Sequence, residues 1–221
     1  MHGWGGFIIA CFVFFLSHAL PVRPPVKPWL VARFGARGFA WGYSALSVAV
    51  LAWLIVAAGR APVVLLWSGP DWLRHVTLTV MFAVCVILAF TLGRPNPFSF
   101  GGTHNERFDP SQPGIVRLTR HPVLLALTLW AGAHLLVNGD LAHAILFGAF
   151  AGFALLGGGM ITRRKRREMG ADYERLWGAT RAVPLRLSPT VGTGLRLGVA
   201  VILYGVLIAL HGPVIGISPL P

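Results

Sequence analysis

Six long apolar runs, residues 3–20, 38–58, 74–92, 122–137, 141–160 and 194–210, constrain this chain more than any other feature. About 20 apolar residues in a helix cross the hydrocarbon core of a bilayer. Lipid offers no partner to backbone N–H and C=O groups, so a spanning segment must satisfy them internally, which a helix does. The expectation is an all-α integral membrane protein with six transmembrane helices, forming one membrane domain over 1–221. The fourth run is short for a span. Asn138-Gly139-Asp140 between the fourth and fifth is a turn signal, which makes those two helices a tight hairpin. Only 12% of the residues are charged, against about 25% in soluble domains. That excludes a disordered chain, a secreted disulfide scaffold and an ordinary cytosolic enzyme. The 27 glycines and 16 prolines have no three-residue period, which excludes collagen. Cys11 and Cys85 fall within apolar runs, where buried small hydrophobes are expected rather than a disulfide.

The charges sort with the runs. Of the 19 basic residues, 17 lie in three alternate segments, 21–37, 93–121 and 161–196; Arg60 and Arg74 are the others. Alternate loops share a side, and basic loops mark the cytoplasm. Both termini are then periplasmic, with cytoplasmic loops at 21–37, 93–121 and 161–193, in a bacterial cytoplasmic (inner) membrane. The net charge of +12 would suggest nucleic acid in a soluble chain; here the bilayer is the expected partner, and no nucleic acid. The first run reads as a retained span and not a cleaved leader: no basic residue precedes it, and Pro-Val-Arg-Pro-Pro follows it.

Three features carry candidate chemistry. The first is histidine: His2, His18, His75, His104, His121, His134, His143 and His211. Ionisable groups within a membrane are costly and default to function. His18 and His134 sit inside apolar runs and are the foremost metal-ligand candidates; for His2, His75, His104, His143 and His211 a hydrogen-bonded interface role is the plainer reading. No CxxC, HExxH or intramembrane carboxylate pair is present, so imidazole-ligated haem b suits this residue set better than zinc. Second, Arg120-His121 precede Pro122 at a helix start, where free N–H groups favour anions; a basic surface anchor is the alternative. They end segment 93–121, the longest stretch without apolar period, of a length that is usually functional or disordered. Third, Arg163–Arg167 are five consecutive basic residues, read as anchoring to anionic lipid. Tyr173, Leu176 and Trp177 after them share one face of a short helix, which would close a cytoplasmic site.

Several pieces resemble the NnrU family of bacterial membrane proteins: FFLSHALPVRP (14–24), WLIVAAGRAPVVLLW (53–67), RPNPFSF (94–100), FDPSQPGIVRLTRHP (108–122), LWAGAHLLVNGDLAHAILFGAF (129–150), and the basic run followed by MGADYERL. They cover most of 14–186 in order. Thr162 departs from the pattern, since an acidic residue is expected there. NnrU proteins are similar to the plant 15-cis-zeta-carotene isomerases, which are membrane haem b proteins. That resemblance implies functional histidines at His18, His121 and His134, with His18 and His134 as haem ligands. It also implies a redox-dependent isomerisation of hydrophobic polyenes. The family's name implies a link to nitrite and nitric oxide reductases, hence nitrogen oxides and denitrification proteins as expected partners. A more distant resemblance is to membrane methyltransferases of the isoprenylcysteine carboxyl and phospholipid N-methyl types. It rests on Arg120-His121-Pro122 and on Gly170 to Tyr173, and implies S-adenosylmethionine binding by Arg120, His121 and Tyr173. The paired glutamates expected in that pattern are absent, since 161–167 reads ITRRKRR. A non-enzymatic membrane scaffold is the third function class.

Depth sets the ligand candidates against each other. With His121 at the start of an upright helix, His134 lies 13 residues further, about 20 Å along the axis. Axial imidazoles need nitrogens only about 4 Å apart across a metal. The geometric rival to His18 with His134 is therefore His18 with His121. For the topology, reporter fusions at residues 35, 115 and 170 should read cytoplasmic, and fusions at 65, 139 and 218 periplasmic. A cytoplasmic C-terminus would overturn six spans.

Overall fold

In a computed structural model the described residues, 3–184 and 190–221, form seven α-helices: α1 (Trp4–Ala19), α2 (Val26–Gly59), α3 (Trp72–Thr91), α4 (Pro122–Val137), α5 (Leu141–Met169), α6 (Ala171–Ala182) and α7 (Val191–Ile215). Each apolar run falls in a helix. Helices α2, α3, α5 and α7 are long and apolar enough to cross a bilayer, and α1 and α4 are apolar helices of 16 residues each. The chain is an all-α membrane protein. His2 and Arg186 lie outside the described residues.

α2 and α5 extend furthest beyond their apolar runs. α2 starts at Val26, inside the segment expected to be a loop (21–37). It bends at Gly35, whose φ of 72° places it in the left-handed region that glycine tolerates. α5 continues through the basic run to Met169. Within that run Glu168 accepts from Arg164 Nε (2.6 Å) and Lys165 Nζ (3.0 Å), the spacing that supports a solvated helix. α6 matches the short helix expected around Tyr173.

The chain divides into two compact units. The first comprises 1–67 and 140–146. Here α1 packs against α2, burying Phe7, Ala10, Val50, Leu54 and Ala58. The stretch after α2 bridges to the start of α5 through Leu65 and Asp140, and Leu141 N donates to Val64 O at 2.9 Å.

The second unit comprises 68–139 and 147–221. α3 packs against both α4 and α7, with Cys85, Ala89 and Ala200 closing the contact. Thr77 donates to Ala133 O (3.3 Å) and Tyr204 to Leu78 O (3.1 Å), so α4 and α7 both run antiparallel to α3. Trp130 meets Phe147 and Phe150, and Leu124 lies over Gly157, so α5 runs antiparallel to α4, as a hairpin requires. The end of α3, the start of α4, the end of α5 and the start of α7 thus gather at one end of this unit, the end rich in arginine.

Segment 93–121 covers that end. It was expected to be a loop without apolar period, yet it has its own small core. Two 3₁₀ turns, Asn105–Arg107 and Gly114–Arg117, punctuate it. Phe98 is fully buried and meets Phe108, Tyr173 and Trp177 edge-on, at centroid distances of 5.3–5.5 Å. Val116 and Tyr173 complete the cluster. Arg117 Nε donates to Val183 O at 2.6 Å and ties the far end of α6 to the second 3₁₀ turn. Emptying a buried phenylalanine site costs about 3–5 kcal/mol. Phe98→Ala should therefore lower the melting temperature in detergent and open 93–121 to limited proteolysis, while Phe98→Leu should do so much less.

Candidate functional site

Arg120, His121 and Tyr173 converge at the arginine-rich end. Arg120 Nη1 donates to the Tyr173 hydroxyl at 3.0 Å, and its guanidinium lies 4.8 Å above the Trp177 ring. Tyr173 OH is thereby satisfied although the side chain is sealed from solvent. The Arg120 carbonyl accepts from Asn96 Nδ2 (3.0 Å), Asn96 N donates to Asn105 Oδ1 (2.8 Å), and Phe98 N donates to Asn96 Oδ1 (3.1 Å). One buried amide therefore holds both the arginine and the aromatic core. The sequence reading missed Asn96 and Ser99, which lie in a segment with no helical or strand period to expose a buried face. The Asn-Pro-Phe-Ser-Phe stretch was the available signal.

His121 caps α4 outside the helix, with Pro122 at the first helical position as expected. Its Nδ1 lies 2.9 Å from Ser99 Oγ and its Nε2 2.8 Å from Thr162 Oγ1. A neutral imidazole donates with one nitrogen and accepts with the other, and a hydroxyl can answer either. Burial pushes the imidazole below its ordinary titration range, and the neighbouring Arg120 adds to this. Gly158 keeps the wall open, since a Cβ there would come within 3.3 Å of His121 Cδ2. Thr162, the position where relatives are expected to carry an acid, is the ring's hydroxyl partner.

His18 and His134 occupy the last turns of α1 and α4, one in each unit. Both are half-buried. His18 Nδ1 is 2.7 Å from Phe14 O, and His134 Nδ1 is 2.8 Å from Trp130 O. A carbonyl only accepts, so Nδ1 carries a hydrogen in both rings, and in the neutral ring the lone pair is on Nε2. Among the described residues no hydrogen-bond partner meets either Nε2. Aromatic rings hold the orientation: Phe14 stacks on His18 at 4.1 Å, while Trp130 and Phe147 flank His134 at 5.3 and 5.0 Å. An imidazole fixed through Nδ1–H presents Nε2 as its ligating nitrogen, and each ring taken by itself has that form.

The remaining histidines are bound otherwise. His143 Nδ1 contacts Asp140 Oδ2 at 2.6 Å at the start of α5, His211 Nδ1 donates to Ile217 O at 2.7 Å, and His104 lies 3.5 Å from Glu106. His75 is exposed. Within the second unit, His104 and His121 lie at the arginine-rich end, and His75, His134 and His211 at the opposite end. Among the described residues no cluster of three or more His, Cys, Asp or Glu forms a metal site from protein ligands alone.

The family model described as "NnrU protein" matches residues 6–219. No curated protein and no solved structure matches the chain.

The state of His121 has a measurable consequence. A ring that resists protonation when folded loses stability as pH falls, because the unfolded chain binds the proton more readily. Melting temperature should drop as pH falls below about 6.5, and His121→Gln should remove part of that dependence. An identical pH profile in the variant would contradict the assignment.

Proposed function

This chain belongs to the NnrU family, and from that premise we propose that it is a six-span membrane haem b protein whose iron is held by His18 and His134. The observation that carries the proposal is the common state of the two rings, each giving Nδ1–H to a carbonyl of its own helix and keeping Nε2 for a metal. Their pairing on one iron comes from the resemblance to the carotene isomerases. Phe14 O and Trp130 O fix ring rotation and raise the basicity of the ligating nitrogen. His121, held between Ser99 and Thr162, is assigned a positioning role at the arginine-rich end.

Haem b, when bound, supplies one-electron redox chemistry and an exchangeable axial position. The proposed activity is redox-dependent isomerisation of a hydrophobic polyene or, in a denitrifying cell, an accessory role toward nitrite and nitric oxide reductases. The arginine-rich end faces the cytoplasm in this reading. α1 and α4 then cross as short spans of about 24 Å, a mismatch that tilt of neighbours and local thinning accommodate.

Optical and electron paramagnetic resonance spectra of protein expressed with ample haem test the proposal. The oxidised protein should be six-coordinate and low-spin. His18→Ala and His134→Ala should each yield five-coordinate haem or none, and His143→Ala and His211→Ala should leave the spectrum unchanged. Low-spin haem that survives His134→Ala but not His121→Ala would transfer the ligand role to His121. A colourless wild type would remove the haem reading.

A further inference from the structure

A second feature at the arginine-rich end lies outside the His121 cluster. A cavity of about 210 Å³ opens between the end of α3 and the two 3₁₀ turns, lined by Arg94, Arg107, Asp109, Gln112 and the prolines 95 and 113. Arg94 is held through its main chain: its N–H donates to Thr91 O at 3.2 Å, and its carbonyl accepts from Thr103 N at 3.1 Å. Its guanidinium lies against Gly114, 3.5 Å from where a Cβ would stand. Gly114 itself has φ +56°, a conformation that other residues adopt with strain.

The charge in this cavity is not neutralised from within. Among the described residues no carboxylate lies within ion-pair distance of Arg94. Arg107 meets only Glu106, at 3.9 Å, with both side chains largely exposed, a pair of little energy in water. Asp109 is the one acid in the lining, and its Oδ1 accepts from both Ser111 N (2.8 Å) and Ser111 Oγ (2.7 Å). That turn engages Oδ1 of Asp109 without removing its charge, so the lining sets two guanidinium charges against one carboxylate and stays net positive. Arg196 adds a further positive charge nearby, with its own donors given to the Ala89 and Leu92 carbonyls that end α3.

Two guanidinium forks facing one cavity suit a phosphate, which accepts from each in bidentate fashion. The surroundings indicate what that phosphate is attached to. Leu92, two residues before Arg94, is exposed, as are Phe100 and Leu118. Leu92 stands at the end of α3, a helix long and apolar enough to cross a bilayer, and the end of such a span is the level at which acyl chains give way to headgroups. We propose that the Arg94–Arg107 cavity is a binding site for the phosphate of an anionic glycerophospholipid headgroup. The site is independent of the haem reading, and a colourless protein would leave it standing.

Native mass spectrometry of delipidated protein in a neutral detergent tests the site, with phosphatidylglycerol, phosphatidylcholine and inorganic phosphate as separate probes. The wild type should retain phosphatidylglycerol in preference to phosphatidylcholine. Loss of a charge-assisted contact should weaken that retention about tenfold in Arg94→Gln and in Arg107→Gln. Arg74→Gln, at the opposite end of α3, should leave it unchanged. Arg107 is exposed, so its variant should keep the wild-type melting temperature, which separates lost binding from lost fold. Arginine-dependent binding of inorganic phosphate alone would support the phosphate site and assign it a soluble ligand in place of a lipid. Equal retention by wild type and both single variants would overturn the proposal. So would a wild type that neither prefers phosphatidylglycerol nor binds phosphate.

Discussion

A polar side chain inside an apolar helix has no water to turn to, and the backbone carbonyl one turn back is the acceptor within reach. This constraint shapes the molecule. Thr91 donates to Ile87 O and Thr128 to Leu124 O. His18 and His134 do the same through Nδ1. A threonine hydroxyl spends its only hydrogen in this way. An imidazole spends one nitrogen and retains the other, so the same local bond that makes a histidine tolerable in lipid also prepares it as a ligand. Among the described residues no fully buried side-chain nitrogen or oxygen lacks a partner.

The polar chemistry at the arginine-rich end follows a different rule. There the chain returns from the membrane and must close over the ends of α3, α4 and α5. It does so with aromatic packing around Phe98 and with one buried amide, Asn96, whose bonds reach Arg120, Asn105 and Phe98. Arg120 is consequently fixed against Tyr173 and Trp177, while Arg94 and Arg107 face an open cavity. Two neighbouring sets of arginines thus have different characters: one is a structural clamp, the other lines an open cavity.

The helices were legible because a membrane span declares itself by length and hydropathy alone. The run 122–137 coincides with α4, and 74–92 lies within a residue or two of α3. The inner face of α6 was legible from the spacing of Tyr173, Leu176 and Trp177. The early start of α2 was not, because Val26 to Phe34 mixes basic and apolar residues and reads as a surface segment. The packed state of 93–121 was also hidden. Its core is set by contacts between Phe98 and residues some 75 positions further along the chain, and such pairings leave no period behind. Single residue types pointed to His18, His121 and His134, but the proton positions on their rings depend on partners that only the folded chain supplies.

The account turns on those proton positions. Nitrogen-15 NMR of histidine-labelled, haem-free protein in detergent measures them directly. In the neutral form of His18 and of His134 the ring hydrogen should sit on Nδ1. A neutral form with its hydrogen on Nε2 in either ring would contradict that assignment.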